Sequence, residues 1–299
     1  MELFVDSQTS LSNALKIAKK GDIIKLKSGI YRTKIKIFQS NITLVGEGEN
    51  TIIVNKDYFN KINEIDNKEY LTVRTYTVLV KGDNVTFKNL TIQNDSTPSS
   101  IYGQAVALEV LGDNFKAYNV YLKGAQDTLL SGPLPYDLTL RYKDLLPEDE
   151  LETKASHQYY ESCYIEGDTD FIFGSGIAYF KDCTLHSIDK GYIAAPSHPK
   201  EYKYGFIFDN CKISANKNLN DCVYLARPWR DYGNVVFKNC KILNNHIKKE
   251  LFNNWTKERE KTCRFSIYNT ADTSSMVTFA RTLKKDEADI INLEETFGQ

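Results

Sequence analysis

The chain has 299 residues, of which 41% are apolar, and its 38 basic side chains nearly balance its 39 acidic ones. The apolar content is enough to fill a core, and the balanced charge gives no basic surface of the kind that binds nucleic acid. No apolar run reaches the roughly 18 residues of a membrane span, so neither nucleic acid nor a membrane is expected as a partner.

The first predicted element is an amphipathic helix over Ser10–Lys20. Leu11, Leu15 and Ala18 share one face of this helix, and Gly21 follows as a residue that ends helices. An apolar face this close to the N-terminus is suited to cover the open end of a stack of strands, which would otherwise expose a strand edge.

Short apolar strands are predicted after this helix. Their ranges are Ile23–Leu26, Ile35–Ile37, Ile42–Val45 and Ile52–Val54. Residues Asn55–Tyr70 form a polar excursion, after which Val73–Val80 returns to the strand pattern.

Six later segments repeat one pattern: an apolar or aromatic residue, two polar residues, an apolar residue, a polar residue and an aliphatic residue. They are 87–92, 117–122, 160–165, 180–185, 208–213 and 237–242. The fourth position predicts an inward-facing ladder of Leu90, Val120, Cys163, Cys183, Cys211 and Cys240. Repeated strands without intervening helical periodicity favour a parallel β-helix, whereas an antiparallel β-sandwich would need regular hairpin turns that are missing.

Two aspartates have the same phase in this repeat. Asp127 lies five residues after Leu122, and Asp170 lies five residues after Ile165. The intervening segment Ser131–Ser156 lacks the repeat pattern and is interpreted as a loop ejected from one coil. The aspartates are therefore expected on adjacent coils, where strands lie roughly 4.8 Å apart, close enough for the two carboxylates to interact.

The repeat fades after Ile242. Residues Lys248–Lys261 are predicted to be helical or irregular, and the charged segment Thr282–Glu295 has helical potential and is expected to pack along the outside. Because no low-complexity linker interrupts the repeat, residues 1–299 are predicted to form a single domain.

The six cysteines and four histidines show no metal-ligand spacing. Four cysteines occupy the inward ladder, where stacked free thiols are expected, although a bridge between neighbouring coils remains possible. Cys222 and Cys263 lie outside the repeat and give no further information. Neither a metal nor another cofactor is expected.

Several motifs give the sequence a family resemblance that runs nearly end to end. They are 20–32 (KGDIIKLKSGIYR), 103–108 (GQAVAL), 126–129 (QDTL), 170–174 (DFIFG), 225–229 (LARPW), 254–255 (NW), 264–265 (RF) and 277–281 (VTFAR). In this order they resemble the pectin methylesterases, or pectinesterases. The chain departs from the family pattern at Leu130, Ala226 and Ile267, and in the length of the 131–156 loop.

The resemblance implies a right-handed parallel β-helix and a carboxylic ester hydrolase that removes C6 methyl esters from galacturonate in pectin or methylated oligogalacturonides. It implies Asp170 as the nucleophile and Asp127 as the general acid and base. Arg227 would orient Asp170, and the amides of Gln104 and Gln126 would stabilise the oxyanion.

An aromatic wall for the sugar is also expected. Trp229 would stack on a sugar ring. Because Phe171 and Phe173 alternate along a strand, one is expected in the core and the other in the cleft; we assign Phe171 to substrate binding. Tyr102 and Tyr192 would extend the wall.

Each motif also has a purely structural interpretation. Asp127 could cap a turn, Gln126 could join a polar ladder, Arg227 could form a surface ion pair, and Trp229 could lie in the core. The equal phase of the aspartates and the order of the motifs favour the functional interpretation.

Two other functions remain open: a hydrolase or lyase that cleaves the polygalacturonate backbone, and a non-catalytic solenoid that binds carbohydrate. Methanol release without a change in chain length separates them from the esterase. The first residues lack a signal-peptide pattern, which predicts a cytoplasmic protein acting on short oligogalacturonides, or a secreted one if an upstream segment has been removed. A monomer is expected.

Overall fold

The computed structural model describes residues 1–147, 150–151, 154–270 and 279–298; residues 277–278 of the predicted C-terminal motif lie outside this part. The first strands are β1 (Glu2–Val5), β2 (Ile23–Leu26), β3 (Gly29–Arg32), β4 (Ile35–Ile37), β5 (Thr43–Val45), β6 (Thr51–Asn55), β7 (Val78–Val80), β8 (Thr86–Lys88), β9 (Thr91–Asn94), β10 (Leu108–Val110), β11 (Phe115–Tyr118) and β12 (Tyr121–Lys123). The later strands are β13 (Leu129–Ser131), β14 (His157–Glu161), β15 (Tyr164–Gly174), β16 (Ile177–Lys181), β17 (Thr184–Pro196), β18 (Phe206–Asp209), β19 (Lys212–Ala215), β20 (Val223–Ala226), β21 (Asn234–Lys238), β22 (Lys241–Ile242), β23 (Arg264–Tyr268) and β24 (Arg281–Thr282). The α-helices are α1 (Gln8–Ile17), α2 (Ser99–Tyr102), α3 (Tyr136–Tyr142), α4 (Lys285–Ile290) and α5 (Leu293–Phe297), with short 3₁₀ helices at Thr72–Arg74 and Lys257–Lys261.

The strands stack in parallel, coil upon coil, which confirms the predicted parallel β-helix. One sheet has the order β1-β2-β5-β8-β11-β14-β16-β18-β21-β23-β24. The second contains two stacks, β3-β6-β9-β12 and β4-β7-β10-β13, which meet in the long bent strands β15 and β17. Each coil therefore contributes one strand to each of three faces around a common interior.

The bend between the first two faces occurs at the third position of the repeat. Asn89, Asn119, Asn210 and Asn239 all have left-handed backbones, with φ of 52–54°. Asparagine tolerates this region better than most residues because its side chain can hydrogen-bond locally. The amide of Asn119 donates to the side-chain oxygen of Asn89 over 3.0 Å, so the bends of adjacent coils are also linked to each other.

The predicted inward ladder is confirmed. Its six residues are all buried, with exposures of 4% or less. Beside it the rings of Tyr160, Phe180, Phe208 and Phe237 stack at centroid distances of 4.7, 4.7 and 4.5 Å. This column of aromatic rings fills the interior through four consecutive coils.

The ladder cysteines are free thiols, as expected. Each donates to a backbone carbonyl of the preceding coil; the Cys240 thiol, for example, lies 3.3 Å from the carbonyl oxygen of Phe208. A small, soft side chain at this position therefore packs between coils and also finds a hydrogen-bond acceptor.

The N-terminal helix covers one end of the stack, but its boundaries differ from those predicted. It begins after Ser7, whose side chain accepts from the N–H of Ser10, and it ends at Ile17. It stops early because the N–H of Lys19 donates to the carboxylate of Asp22 rather than continuing the helix. The predicted apolar face is correct, since Leu11 and its neighbours on that face are buried.

The C-terminal segment packs outside the solenoid, as predicted, and forms α4 and α5. Leu283 and Ala288 are buried against Tyr159, Tyr179 and Ile207 on the outer surface of the first sheet. Among the described helices, none combines the length and the apolar character that crossing a bilayer requires.

The aromatic column yields a stability prediction. Replacing Phe208 with alanine removes a fully buried ring between two stacked neighbours, so we expect the free energy of unfolding to fall by about 3–5 kcal/mol in a urea titration. Phe4, which is 74% exposed, is the matched control, and Phe4→Ala should change stability by about 0.5 kcal/mol or less. Equal losses in both variants would contradict the proposed role of the column.

Candidate active site

The two aspartates are stacked by the register of the coils. Strand β13 pairs with β15 so that Leu129 lies opposite Ile172, and this alignment sets Asp127 beside Asp170. The N–H of Asp127 donates to the carbonyl oxygen of Thr169 over 3.1 Å. The sequence prediction that both lie on one face of adjacent coils is confirmed.

Both aspartates also occupy a bend. Asp127 has φ of 67° and Asp170 has φ of 52°, in the left-handed region that aspartate tolerates. Each is 7% exposed. Asp127 thus occupies a turn, as the structural interpretation expected, and the bend also aims each carboxyl into the same cavity.

A single arginine holds one aspartate of the pair. Arg227 follows β20, and its Nε and Nη2 donate to Oδ1 and Oδ2 of Asp170 over 2.8 and 2.6 Å. The guanidinium lies between the rings of Tyr192, at 3.8 Å from its centroid, and Trp255, at 4.1 Å. Aromatic faces on both sides fix the plane of the guanidinium, and the two parallel hydrogen bonds from the guanidinium fix the Asp170 carboxylate.

The carboxyls have different proton affinities. Burial raises the pKa of the Asp127 carboxyl well above its usual range, the charge of Asp170 raises it further, and Arg227 offsets only part of this. Burial also raises the pKa of Asp170, but hydrogen bonds and positive charge from Arg227 oppose the increase. Arg227 therefore favours the negative charge of the pair on Asp170 and the proton on Asp127.

Two glutamines also belong to the site. Gln104 and Gln126 form a parallel bridge between coils, and both line the cavity. Within the described residues, neither side-chain amide has a hydrogen-bond partner in the protein. Their N–H groups are therefore free to bind a ligand in the cavity.

The cavity measures about 480 Å³. The described residues that line it are Phe59, Thr72, Val73, Gln104, Gln126, Asp127, Leu130, Leu134, Leu138, Arg141, Tyr142, Asp170, Phe173, Ala195, Arg227, Trp229, Arg230 and Trp255. Trp229 meets Phe173 edge to face at 5.7 Å, and together they form an aromatic wall. The predicted aspartates, glutamines, arginine and Trp229 thus share one cavity.

Three residues that were predicted to contact substrate do not line the cavity. Phe171 is fully buried in the solenoid core; the alternation of β15 places Phe173 in the cavity instead. Tyr102 does not line the cavity and packs against Tyr58 at 5.0 Å. Tyr192 lies behind Arg227 and stacks on Tyr224, so it supports the arginine without lining the cavity.

Sequence reasoning missed other parts of the site. Trp255 belongs to the quoted Asn254-Trp255 motif, which could have indicated it. The wall formed by Leu134, Leu138, Arg141 and Tyr142 comes from the excursion 131–156, whose sequence has no repeat from which a position could be inferred.

Comparison with known proteins identifies relatives along most of the chain. The family model described as Pectinesterase matches residues 4–132 and 145–282. Pectinesterase QRT1 of Arabidopsis thaliana is 31% identical over 277 residues, covering 87% of this chain and 65% of its own length. The chain spans 62–65% of the length of the first curated relatives that it matches.

Solved structures share the fold. A pectin methylesterase from Yersinia enterocolitica is 27% identical, with a TM-score of 0.79, covering 97% of this chain and 98% of its own. A pectin methylesterase in complex with a hexasaccharide is 23% identical, with a TM-score of 0.79 and coverage of 99% and 97%. The latter likeness is one of fold.

The predicted cytoplasmic location is wrong. The related pectinesterases are secreted, extracellular enzymes that act on cell-wall pectin, which conflicts with a cytoplasmic location. The first residues were a poor guide to location because Glu2–Val5 form a strand of the folded solenoid.

The buried pair yields a prediction for stability and pH. The folded-state pKa of Asp127 lies above that of the unfolded chain, so stability is lost as the pH rises from about 4 towards the folded-state pKa. Asp127→Asn removes this loss, and we expect it to increase the free energy of unfolding at pH 7 by about 0.5–2 kcal/mol.

Asp57 is the matched control because it is equally buried but has the opposite pKa shift. Burial raises its pKa, but Lys34 and Lys61 outweigh burial and lower it. Its stabilising contribution is present above about pH 4 and is lost below, so Asp57→Asn should destabilise the protein at pH 7 by about 3 kcal/mol. Urea titrations at pH 4 and 7 check the direction of the stability change in each variant. Destabilisation by Asp127→Asn at pH 7 would contradict a protonated Asp127.

Proposed function

The chain belongs to the pectinesterase family, and we propose that it hydrolyses the C6 methyl esters of galacturonate residues in pectin or methylated oligogalacturonides, releasing methanol and a free carboxylate. One observation carries this proposal: a buried carboxyl pair in one cavity, of which only Asp170 is held by an arginine. That asymmetry suits a reaction that needs an anionic nucleophile beside a neutral acid.

In the proposed first step, a carboxylate oxygen of Asp170 attacks the ester carbonyl carbon. The C–O bond to the methoxy group breaks, and that oxygen takes the proton from Asp127 and leaves as methanol. The product is an acyl-enzyme anhydride on Asp170, and Asp127 is now ionised. Arg227 supports this step by holding Asp170 ionised in one orientation.

In the second step, Asp127 acts as a base. It accepts a proton from water, whose oxygen attacks the former ester carbonyl of the anhydride. The anhydride bond breaks, the galacturonate carboxyl is released, and the carboxylate of Asp170 is restored. Asp127 thereby regains the proton that it donated in the first step.

Both steps place negative charge on the carbonyl oxygen. The side-chain amides of Gln104 and Gln126 have no protein partner among the described residues, so their N–H groups are available to this oxyanion. Removing one such donor typically costs on the order of 100-fold in rate or more. Trp229 and Phe173 offer apolar faces for a sugar ring.

The direct test is methanol release from methylated pectin by Asp170→Asn and Asp127→Asn. Each should lose activity by about 10⁴-fold or more, because each removes a group that bonds to, or exchanges a proton with, the reacting atoms. Asp168→Asn is the matched control: Asp168 is buried and precedes Asp170 by two residues, but it does not line the cavity. It should retain most of the activity.

Chain length distinguishes the rival functions in the same experiment. An esterase leaves polygalacturonate chains unshortened, whereas a backbone-cleaving hydrolase or lyase shortens them. A non-catalytic carbohydrate-binding protein changes neither methanol nor chain length. Circular dichroism of each variant checks that lost activity does not reflect lost folding.

The acid limb of the pH profile tests the role of Arg227. This arginine lowers the pKa of Asp170, so Arg227→Gln leaves that carboxyl protonated up to a higher pH. We expect the acid limb of kcat/KM to shift upward by about 1–3 pH units. Arg230→Gln is the control, because Arg230 lines the same cavity but pairs with Asp137. If the acid limb of kcat/KM does not move in Arg227→Gln, Arg227 does not control the ionisation of Asp170.

A further inference from the structure

One wall of the cavity lies outside the family match. Residues 133–144, here called the cleft segment, fall between the two matched ranges, 4–132 and 145–282. The cleft segment contains α3 and lies between β13 and β14. The family model therefore does not cover the cleft segment, and the contacts that this segment would make with a substrate have to be argued from this structure.

The cleft segment is packed firmly onto the site. Leu134, Leu138 and Tyr142 are buried in a cluster that also contains Leu130 and Phe173, both of which line the cavity. Tyr142 is 5% exposed. The inner face of α3 is therefore anchored on the strands that carry the aspartates.

An ion pair ties the cleft segment to the loop that carries Arg227. Arg230 donates from Nε and Nη2 to the two oxygens of Asp137, over 3.2 and 2.7 Å. The guanidinium of Arg230 also lies over the ring of Trp229, 4.7 Å from its centroid. Packing and this bidentate pair together set the position of α3 relative to the aspartates.

The arginines of the cavity differ in their partners. Arg227 is paired with Asp170, and Arg230 is paired with Asp137. Arg141, on α3, lines the same cavity and is exposed, and it makes no ion pair with a carboxylate in the described part of the chain. It is thus a cation whose charge is not neutralised by a protein partner there.

Tyr142 indicates where this cation lies. Burial raises the pKa of the Tyr142 hydroxyl, Arg141 lowers it, and Asp127 raises it. The hydroxyl therefore lies within the electrostatic reach of both groups. Arg141 and the aspartates line the same cavity, and Arg141 makes no ion pair with either aspartate in the described part of the chain, so its guanidinium is available to a sugar beside the one that reacts.

We propose that Arg141 is a specificity residue that binds the free carboxylate of a galacturonate next to the one whose ester is hydrolysed. This inference rests on the proposed function, because it assumes a galacturonate chain in the cavity. Each sugar of such a chain carries a carboxylate or a methyl ester at C6, and a guanidinium fork matches the planar, anionic carboxylate but not the neutral ester. The cleft segment would thereby direct the enzyme to partly de-esterified chains.

The kinetic test compares two oligogalacturonides of equal length, one fully methylated and one with a single free carboxylate beside a methyl ester. In Arg141→Gln we expect KM for the carboxylate-bearing substrate to rise about 3- to 30-fold, with kcat unchanged and the fully methylated substrate unaffected. Arg141→Lys should restore part of the difference, since it keeps the charge but not the fork. Lys143→Gln is the control, because Lys143 is exposed beside α3 and does not line the cavity.

A binding measurement separates this inference from the proposed function. Calorimetry with fully de-esterified trigalacturonate, which needs no turnover, should show weaker binding to Arg141→Gln than to the wild type or Lys143→Gln. If neither substrate yields methanol but this difference appears, the proposed function fails and the carboxylate site stands. Equal binding by all three proteins, or a KM that rises equally for both substrates, would overturn the inference.

Discussion

The hydrogen-bonded register between adjacent coils is the constraint on which the site depends. Because β12 and β13 both pair with β15, two separate stretches of the chain are aligned residue by residue across an excursion of more than twenty residues. A one-residue slip would turn every side chain of a strand to the opposite face and separate the aspartates. The interior ladder and the aromatic column prevent such a slip, since it would expose their apolar side chains.

The site reuses the geometry that shapes the fold. Structural asparagines such as Asn89 and Asn119 turn the chain between faces by adopting a left-handed backbone, and Asp127 and Asp170 adopt the same conformation at a later bend. The difference lies in where the side chain points. At the first bend an amide extends a polar ladder between coils; at the second, a carboxyl enters a cavity. A turn residue thus becomes available for chemistry without a new backbone conformation.

Periodicity explains how much could be predicted. The inward ladder, the β-helix and the alignment of the aspartates follow from a repeat that is visible in the sequence. The repeat does not state which of two alternating aromatic residues faces inward on the long bent strand β15, so Phe171 was assigned to the wrong side. The repeat also gives no information about side chains that reach the cavity from segments outside the repeat. Trp255 and the cleft segment belong to this class, because tertiary packing alone determines their positions.

Stacking alone would give two similar carboxyls, and similar carboxyls could not divide the proposed roles of nucleophile and acid. Both are equally buried, so burial raises the pKa of each and does not distinguish them. The distinction comes from a later coil: β20 delivers Arg227, whose fork reaches only Asp170. The rings of Tyr192 and Trp255 hold that fork in one plane. The solenoid therefore sets the carboxyls side by side through its regular repeat, and the irregular contacts around one arginine distinguish Asp170 from Asp127.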